Sequence, residues 1–220
     1  MSVVQNGIVQ QCINLPTEKD KDKLAFLLYN VFTKDECQQL IDMSEKEGYK
    51  PALVNVGFGQ EMLMPDFRNN DRCIIDSIDL ADKIYQRIES YIPKEWNING
   101  STYKVVGLNE RLRFLRYDPG QKFEAHMDGE FRRMDDTEER SYITIQLYLN
   151  EGFSGGETTF LDKHNINNSF PCIPQTGMVL VFEHRLLHEG SALKDGRKYV
   201  IRTDVMYKPK NRLAFTQNTV

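Results

Sequence analysis

The sequence has no apolar run approaching the roughly 18 residues that a membrane-spanning helix needs. Its first residues, Met1-Ser2-Val3-Val4-Gln5-Asn6-Gly7, have neither a positively charged start nor an apolar stretch. No secretory leader is expected there, and the reading is a cytoplasmic protein. Basic charge is not in excess. The chain has 28 Lys and Arg against 32 Asp and Glu, a formal net charge of -4, which argues against a dedicated nucleic-acid binder with its basic footprint. Cysteine is scarce: Cys12, Cys37, Cys73 and Cys172 are far apart and form no CxxC. Reduced, mostly buried thiols are expected instead of a disulfide framework. There is no internal repeat or low-complexity tract, and the single tryptophan, Trp96, reads as a core or interface anchor. What remains is an ordinary globular composition over 220 residues, enough for one sizeable domain with a proper core.

Residues 1–23 are polar and end in the charge run Glu18-Lys19-Asp20-Lys21-Asp22-Lys23, which reads as a loosely ordered lead-in with at most one short edge strand. Leu24–Phe32 suits a buried strand. Thr33-Lys34-Asp35-Glu36 has the pattern of a capping box, and the helix it opens ends at Gly48. A second helix is predicted over about Leu80–Tyr91, with Leu80, Ile84, Ile88 and Tyr91 on one stripe and Pro93 as the stop. Between the helices, Gly57–Asn70 reads as a long loop, and loops of that length are often functional. From Arg111 onward the texture is that of short strands. In the segment Tyr142–Asn150, Tyr142, Thr144, Gln146 and Tyr148 alternate with Ile143, Ile145, Leu147 and Leu149, the pattern of a strand with two different faces. Two helices followed by seven or eight short strands predict an α+β, mainly β fold. Its core would be a double-stranded β-helix (jelly roll) over about 105–208, supported by N-terminal helices over about 33–93, in one domain spanning 24–220.

The chemistry is concentrated in a few positions. His126 and Asp128 are two apart, so in a strand they share a face. His188 lies 60 positions after Asp128 and Lys198 ten further on. Two imidazoles and one carboxylate are the set that holds one face of an octahedral Fe(II) and leaves the other positions open. Imidazole ligates only when neutral, so metal affinity is expected to fall below about pH 6.5. His184 and His188 form HxxxH, but the preceding Val179-Leu180-Val181-Phe182 is strand-like and no HExxH arises, so His184 reads as structural or near the site. His164 reads as solvated. Arg202 is four residues beyond Lys198, on the same strand face, so either could serve as a cation in the pocket.

Arg116–Asp128, Arg140–Asn150, Gly155–Phe160 and His188–Tyr207 together resemble the catalytic domain of the prolyl 4-hydroxylase branch of Fe(II)/2-oxoglutarate-dependent oxygenases. The shared features are a Tyr-x-x-Gly-Gln-x-aromatic-x-x-His-x-Asp stretch, a strand ending Tyr-Leu-Asn, a Gly-Gly-Glu-Thr-x-Phe turn, and a distal His with a basic residue ten positions later. The resemblance covers about residues 110–208 closely and the Phe32–Gly48 helix loosely. It implies Fe(II) held by His126, Asp128 and His188, with 2-oxoglutarate and O₂ as cosubstrates and ascorbate as an accessory reductant the family allows. Lys198 would anchor the far carboxylate of 2-oxoglutarate in preference to Arg202, and Tyr117, Thr144 and Tyr148 would surround the cosubstrate. Thr144 and the tyrosines could equally be core packing. The implied activity is hydroxylation of an unactivated C–H; a small residue in place of Asp128 would instead suit halogenation. A peptidyl proline is the family's default substrate, and the Gly57–Asn70 loop would cover it. The rival readings are a hydroxylase of a free amino acid or other small molecule, and a non-catalytic binding module with a vestigial site. No nucleic-acid or membrane partner is expected, and the sequence leaves the oligomeric state open.

Overall fold

Ala25-Phe26-Leu27-Leu28-Tyr29 contains no charged residue, and a strand so apolar on both faces is stable only between two layers. In the computed structural model, which describes residues 2–5, 7–57, 60–98, 100–165 and 167–210, it forms such a strand. Phe26 and Leu28 point into one core, Ala25 and Leu27 into another. The strands that matter for the site are β1 (Ser2–Gln5), β2 (Ile8–Cys12), β3 (Ala25–Tyr29), β4 (Asp71–Asp76), β5 (Ser101–Leu108), β6 (Arg111–Tyr117), β7 (Phe123–His126), β8 (Arg140–Tyr148), β9 (Thr158–Leu161), β10 (Ser169–Cys172), β11 (Val179–Glu183), β12 (His188–Gly190) and β13 (Lys198–Pro209). The larger sheet runs β1-β2-β3-β11-β8-β13-β6-β4, with β5 on the far half of β13. The smaller sheet runs β7-β12-β9-β10. Every pairing in both sheets is antiparallel.

The two cores follow from strand alternation. On β8, Ile143, Ile145 and Leu147 face the helices and pack with Ile84, Ile88 and Ile41. The opposite face of the sheet packs Tyr148, Leu115, Leu180 and Phe182 against Phe160 and Cys172 of the smaller sheet, with the Phe160 and Phe182 rings 5.3 Å apart at near right angles. Two facing antiparallel sheets with this connectivity are a jelly roll backed by two helices.

Helix α1 (Lys34–Glu47) begins at the expected capping box: Glu36 N donates to Thr33 Oγ1 at 3.2 Å and Thr33 N to Glu36 Oε2 at 3.1 Å. Helix α2 (Ile78–Ile88) is capped by Ser77 and passes into a 3₁₀ turn over Glu89–Tyr91, so it starts earlier than the apolar stripe suggests. Glu36 also pairs with Arg87 at 2.6 Å, tying the two helices together.

Three expectations change. Residues 1–23 are not a loose lead-in: β1 and β2 form a hairpin that extends the larger sheet through β3. The Gly57–Asn70 segment is not a plain loop. Val54–Gly57 and Gln60–Met62 pair as a short antiparallel hairpin; Phe58 and Gly59 between them lie outside the described residues. Strands β4 and β5 have no clear alternation in the sequence and form because β6 and β13 offer them open edges. Of the cysteines, Cys37, Cys73 and Cys172 are buried, Cys12 is exposed, and all four are free.

Candidate active site

The smaller sheet sets the site. Strands β7 and β12 pair so that His126 stands directly opposite His188, and directly opposed residues have adjoining side chains. Their ring centroids are 4.4 Å apart. His126 Nδ1 lies 2.7 Å from the Glu124 carbonyl and His188 Nδ1 3.0 Å from that of Leu186. Each Nδ1–H therefore donates to backbone, and each Nε2 lone pair is left free to ligate.

Asp128 is not part of the strand, as the i, i+2 argument supposed. Strand β7 ends at His126, and Asp128 is held by its own N–H, which donates to the His184 carbonyl at 2.9 Å. Its carboxylate comes to the same place: Oδ1 is 3.7 Å from His126 Nε2 and Oδ2 is 3.9 Å from His188 Nε2. Ligand atoms of the three residues all lie within 4.8 Å of one another. Thr144 Oγ1 donates to Asp128 Oδ2 at 2.5 Å, and Arg202 Nη2 sits 3.1 Å from Oδ1. Burial pushes the Asp128 carboxyl up, but the neighbouring Arg202 guanidinium outweighs it and holds the carboxyl below the ordinary carboxylate range. Burial, with repulsion from His188, brings the His126 imidazole down to about 3, and burial lowers His188 as well. Two neutral imidazoles and one anionic carboxylate are the ionisation states a divalent cation needs, so the donor set fits Fe(II).

A cavity of about 720 Å³ opens beside these three residues. Lys198, the first residue of β13, lines it opposite Tyr117 of β6. Lys198 is 2 % exposed. Its Nζ donates to the Gly156 carbonyl at 2.6 Å and lies 4.8 Å from the Tyr117 ring centre. It forms no ion pair among the described residues. Gly156 allows this close approach: it has φ +72°, and a Cβ there would meet Leu193 Cδ1 at 2.9 Å and Lys198 Cδ at 3.3 Å. The Tyr117 hydroxyl makes no hydrogen bond among the described residues and faces the same cavity.

The other candidates divide. Arg202 lines the cavity, but its charge is engaged by Asp128 and by Asp204, the latter also at 3.1 Å. Tyr148 and Thr144 are fully buried behind the lining. The Tyr148 hydroxyl donates to Thr158 Oγ1 at 2.7 Å, and Thr158 donates to Gln146 Oε1 at 2.9 Å. Thr158 and Gln146 then face the cavity. His184 is buried, with Nε2 3.4 Å from Asp204 Oδ1, and stays outside the ligand cluster. His164 is exposed. Sequence reasoning missed Arg68, Arg113 and Gln146, all of which line the cavity. Gln146 was signalled by the Tyr142–Tyr148 alternation; Arg68 and Arg113 had no local signal.

Residues 112–203 match the family model of the 2OG-Fe(II) oxygenase superfamily. Among curated proteins, probable prolyl 4-hydroxylase 11 of Arabidopsis thaliana is 29% identical over 180 residues, 74% of this chain and 57% of that protein. The chain spans about half the length of the curated relatives it matches. Among solved structures, the viral collagen prolyl hydroxylase of Paramecium Bursaria Chlorella virus-1 in its 2OG complex aligns with a TM-score of 0.56 at 20% identity, covering 85% of this chain and 97% of that one. A Trichoplax adhaerens prolyl hydroxylase, solved with a hypoxia inducible factor oxygen degradation domain peptide fragment, aligns with a TM-score of 0.61 at 14% identity, covering 87% of each chain. The matched segment runs from the strand of Tyr117 to the strand of Lys198 and Arg202, and over it the chain is similar to the 2OG-Fe(II) oxygenases, with prolyl 4-hydroxylases among its relatives.

Proposed function

We propose that the protein hydroxylates a prolyl residue of a peptide or protein, using Fe(II), 2-oxoglutarate and O₂, with residues 24–220 acting as one oxygenase domain. The single observation that carries the reading is the cavity itself. A metal-ligand set lies on its wall, and a buried ammonium with no carboxylate partner also faces it. Bound iron and 2-oxoglutarate supply oxidative decarboxylation coupled to insertion of one oxygen atom into a C–H bond.

The chain's own residues do the rest. His126 and His188 offer Nε2, and their backbone-bound Nδ1–H groups fix the ring orientation. Thr144 and Arg202 hold the Asp128 carboxylate. Lys198 Nζ receives the distal carboxylate of 2-oxoglutarate, with the free Tyr117 hydroxyl as second donor. Leu115, Val200 and Phe123 line the cavity with carbon and exclude water. Asp128 fills the position that a halogenase would leave to halide, which favours hydroxylation. The short hairpin contributes Val54, Asn55 and Glu61 to the lining and presents Val56 and Met62 outward, 44 % and 55 % exposed. An apolar rim of this kind suits an extended peptide.

The test is direct. Purified protein with Fe(II), 2-oxoglutarate and proline-containing peptides should release succinate and give a peptide one oxygen atom heavier by mass spectrometry. His126→Ala should abolish both with its circular dichroism spectrum unchanged. Iron-loaded protein that consumes no 2-oxoglutarate with any peptide or free amino acid would favour a non-catalytic binding module.

A further inference from the structure

The cavity has five cationic side chains on its wall, and their partners differ. Arg72 pairs with Glu61 at 3.1 Å, Arg113 with Asp204 at 3.3 Å, and Arg202 with Asp128 and Asp204 at 3.1 Å each. Lys198 is assigned above to 2-oxoglutarate. The fifth, Arg68, has no carboxylate partner among the described residues.

Arg68 is only 8 % exposed. Its Nε donates to Asn70 Oδ1 at 2.8 Å, and its guanidinium carbon lies 4.5 Å from the Phe123 ring centre. Neither Nη makes a hydrogen bond among the described residues. The backbone holds the residue firmly: Arg68 bridges to Phe123 across an antiparallel pair, Glu124 N donates to the Phe67 carbonyl at 2.8 Å, and Lys122 N to Asn69 Oδ1 at 2.7 Å. The Phe123 ring that meets the guanidinium also stacks on His126, with centroids 3.6 Å apart. The guanidinium is therefore separated from a metal ligand by one aromatic ring.

A guanidinium withdrawn from water without an anion is costly. Burial brings this one down to about 10, so it is still charged at neutral pH. Its two unpaired Nη groups form the planar fork that matches a carboxylate. One such fork carries a single charge, which suits a carboxylate better than a phosphate dianion.

Resting on the metal and cosubstrate assignments above, we propose that Arg68 receives a carboxylate carried by the substrate, so that the enzyme selects a proline accompanied by an acidic group. That group is either an Asp or Glu side chain beside the proline in a peptide or the α-carboxylate of proline itself. The shared chemistry is the carboxylate, and the two sources separate experimentally.

Two matched pairs of substrates test this with the iron-loaded protein: pentapeptides differing only in Glu or Gln beside the proline, and free L-proline against L-prolinamide. The expected result is a preference for the carboxylate member of one pair by roughly tenfold or more in kcat/KM. The preference should vanish in Arg68→Gln, which keeps a donor for Asn70, and survive in part in Arg68→Lys, while the KM for 2-oxoglutarate stays unchanged in both. Which pair responds identifies the source. Binding of the same pairs to Mn(II)- and 2-oxoglutarate-loaded protein by calorimetry gives a readout free of turnover. Equal use of carboxylate and amide by the wild type, or a preference that persists in Arg68→Gln, overturns the assignment. So does a tenfold rise in the KM for 2-oxoglutarate in Arg68→Gln, which would place Arg68 on the cosubstrate. In each of these cases wild-type 2-oxoglutarate consumption survives; its absence would instead bring down the oxygenase reading and this inference together.

Discussion

At the scale of single residues, Lys198 has the clearest consequence. Burial brings its ammonium down to about 8, against a small opposing effect of Glu157. The charge is therefore present below about pH 8 and lost above it, and a bound dianion raises the pKa. By linkage, 2-oxoglutarate affinity should be flat at neutral pH and weaken as pH climbs beyond about 8. Lys198→Met should remove the charge at every pH, at a cost on the order of 2–4 kcal/mol, or roughly 30- to 1,000-fold in the KM for 2-oxoglutarate. Mn(II) affinity should hardly change, as calorimetry can check. Arg202→Ala showing the larger effect would reverse the assignment.

The histidines alter another expectation. A free imidazole would begin to lose metal affinity below about pH 6.5, but His126 sits near 3 and His188 is lowered too. The folded protein already holds both rings neutral, so protons compete for the ligand atoms only at lower pH. Mn(II) affinity at low ionic strength should hold between about pH 7 and pH 5 and weaken as pH approaches about 3. Stability runs with the same sign. The unfolded chain takes up protons below about 6.5 that the native rings refuse, so the metal-free protein weakens through that window as pH falls. A tenfold loss of Mn(II) affinity between pH 7 and 6 would show that the rings titrate as if exposed. Among the candidate ligands, His126 and Asp128 were legible in the sequence because their spacing is local, and His188, 60 positions on, only through the longer pattern of the resemblance. The depth of the pKa shifts was not, because it depends on which strands close over the rings.

At the scale of elements, legibility followed contact range. The capping box of α1 needs only residues three apart, and it forms at Thr33 and Glu36 where the sequence places it. The alternation of β8 holds from Ile143 to Tyr148, one face in the helical core and the other behind the cavity; Tyr142 departs from it and packs in the helical core, where the register with β13 shifts between Ser141 and Ile143. The short hairpin was hidden, because Val54–Gly57 and Gln60–Met62 are too brief and polar for a period to show. Its covering role stands as a prediction: replacing residues 54–62 by a short Gly-Ser turn should lower substrate turnover about tenfold or more, with 2-oxoglutarate affinity within about twofold of wild type. Equal loss of both would make the hairpin a structural part of the fold. Asp128 shows the opposite case. The two-residue spacing picked out a carboxylate that does lie beside both imidazoles, but for an incomplete reason, since the strand stops at His126 and a backbone contact to His184 completes the placement.

For the whole molecule, the facing of two sheets brings together residues that are far apart in sequence. Arg68 arrives from the segment after the hairpin, Lys198 and Arg202 from β13, and the candidate metal ligands from β7, β12 and the turn after β7. The resemblance put the Gly57–Asn70 segment over the substrate but gave no hint of Arg68 itself, which the bridge to Phe123 and the contacts of Phe67 and Asn69 with Glu124 and Lys122 bring there. No described helix is long and apolar enough to cross a membrane, and the strands close on one another around two cores.

The direct opposition of His126 and His188 has a consequence for folding. Side chains alternate along a strand, so slipping β7 against β12 by one residue would turn one imidazole toward the wrong face. Only one alignment of this edge strand can chelate. A bound ion would then act as a proofreader of strand alignment, withdrawing slipped pairings from the ensemble by mass action. Mn(II) at 100 times its dissociation constant should slow amide exchange in β7 and β12 by up to about a hundredfold where exchange proceeds through local opening. Exchange in β3, across the other core, should change only through global stability. Equal slowing of β3 and β7 would mean that the ion stabilises the fold as a whole. A one-residue deletion between Gln121 and Phe123 would then be harsher than any single side-chain replacement there, because it shifts every partner that the ion reads.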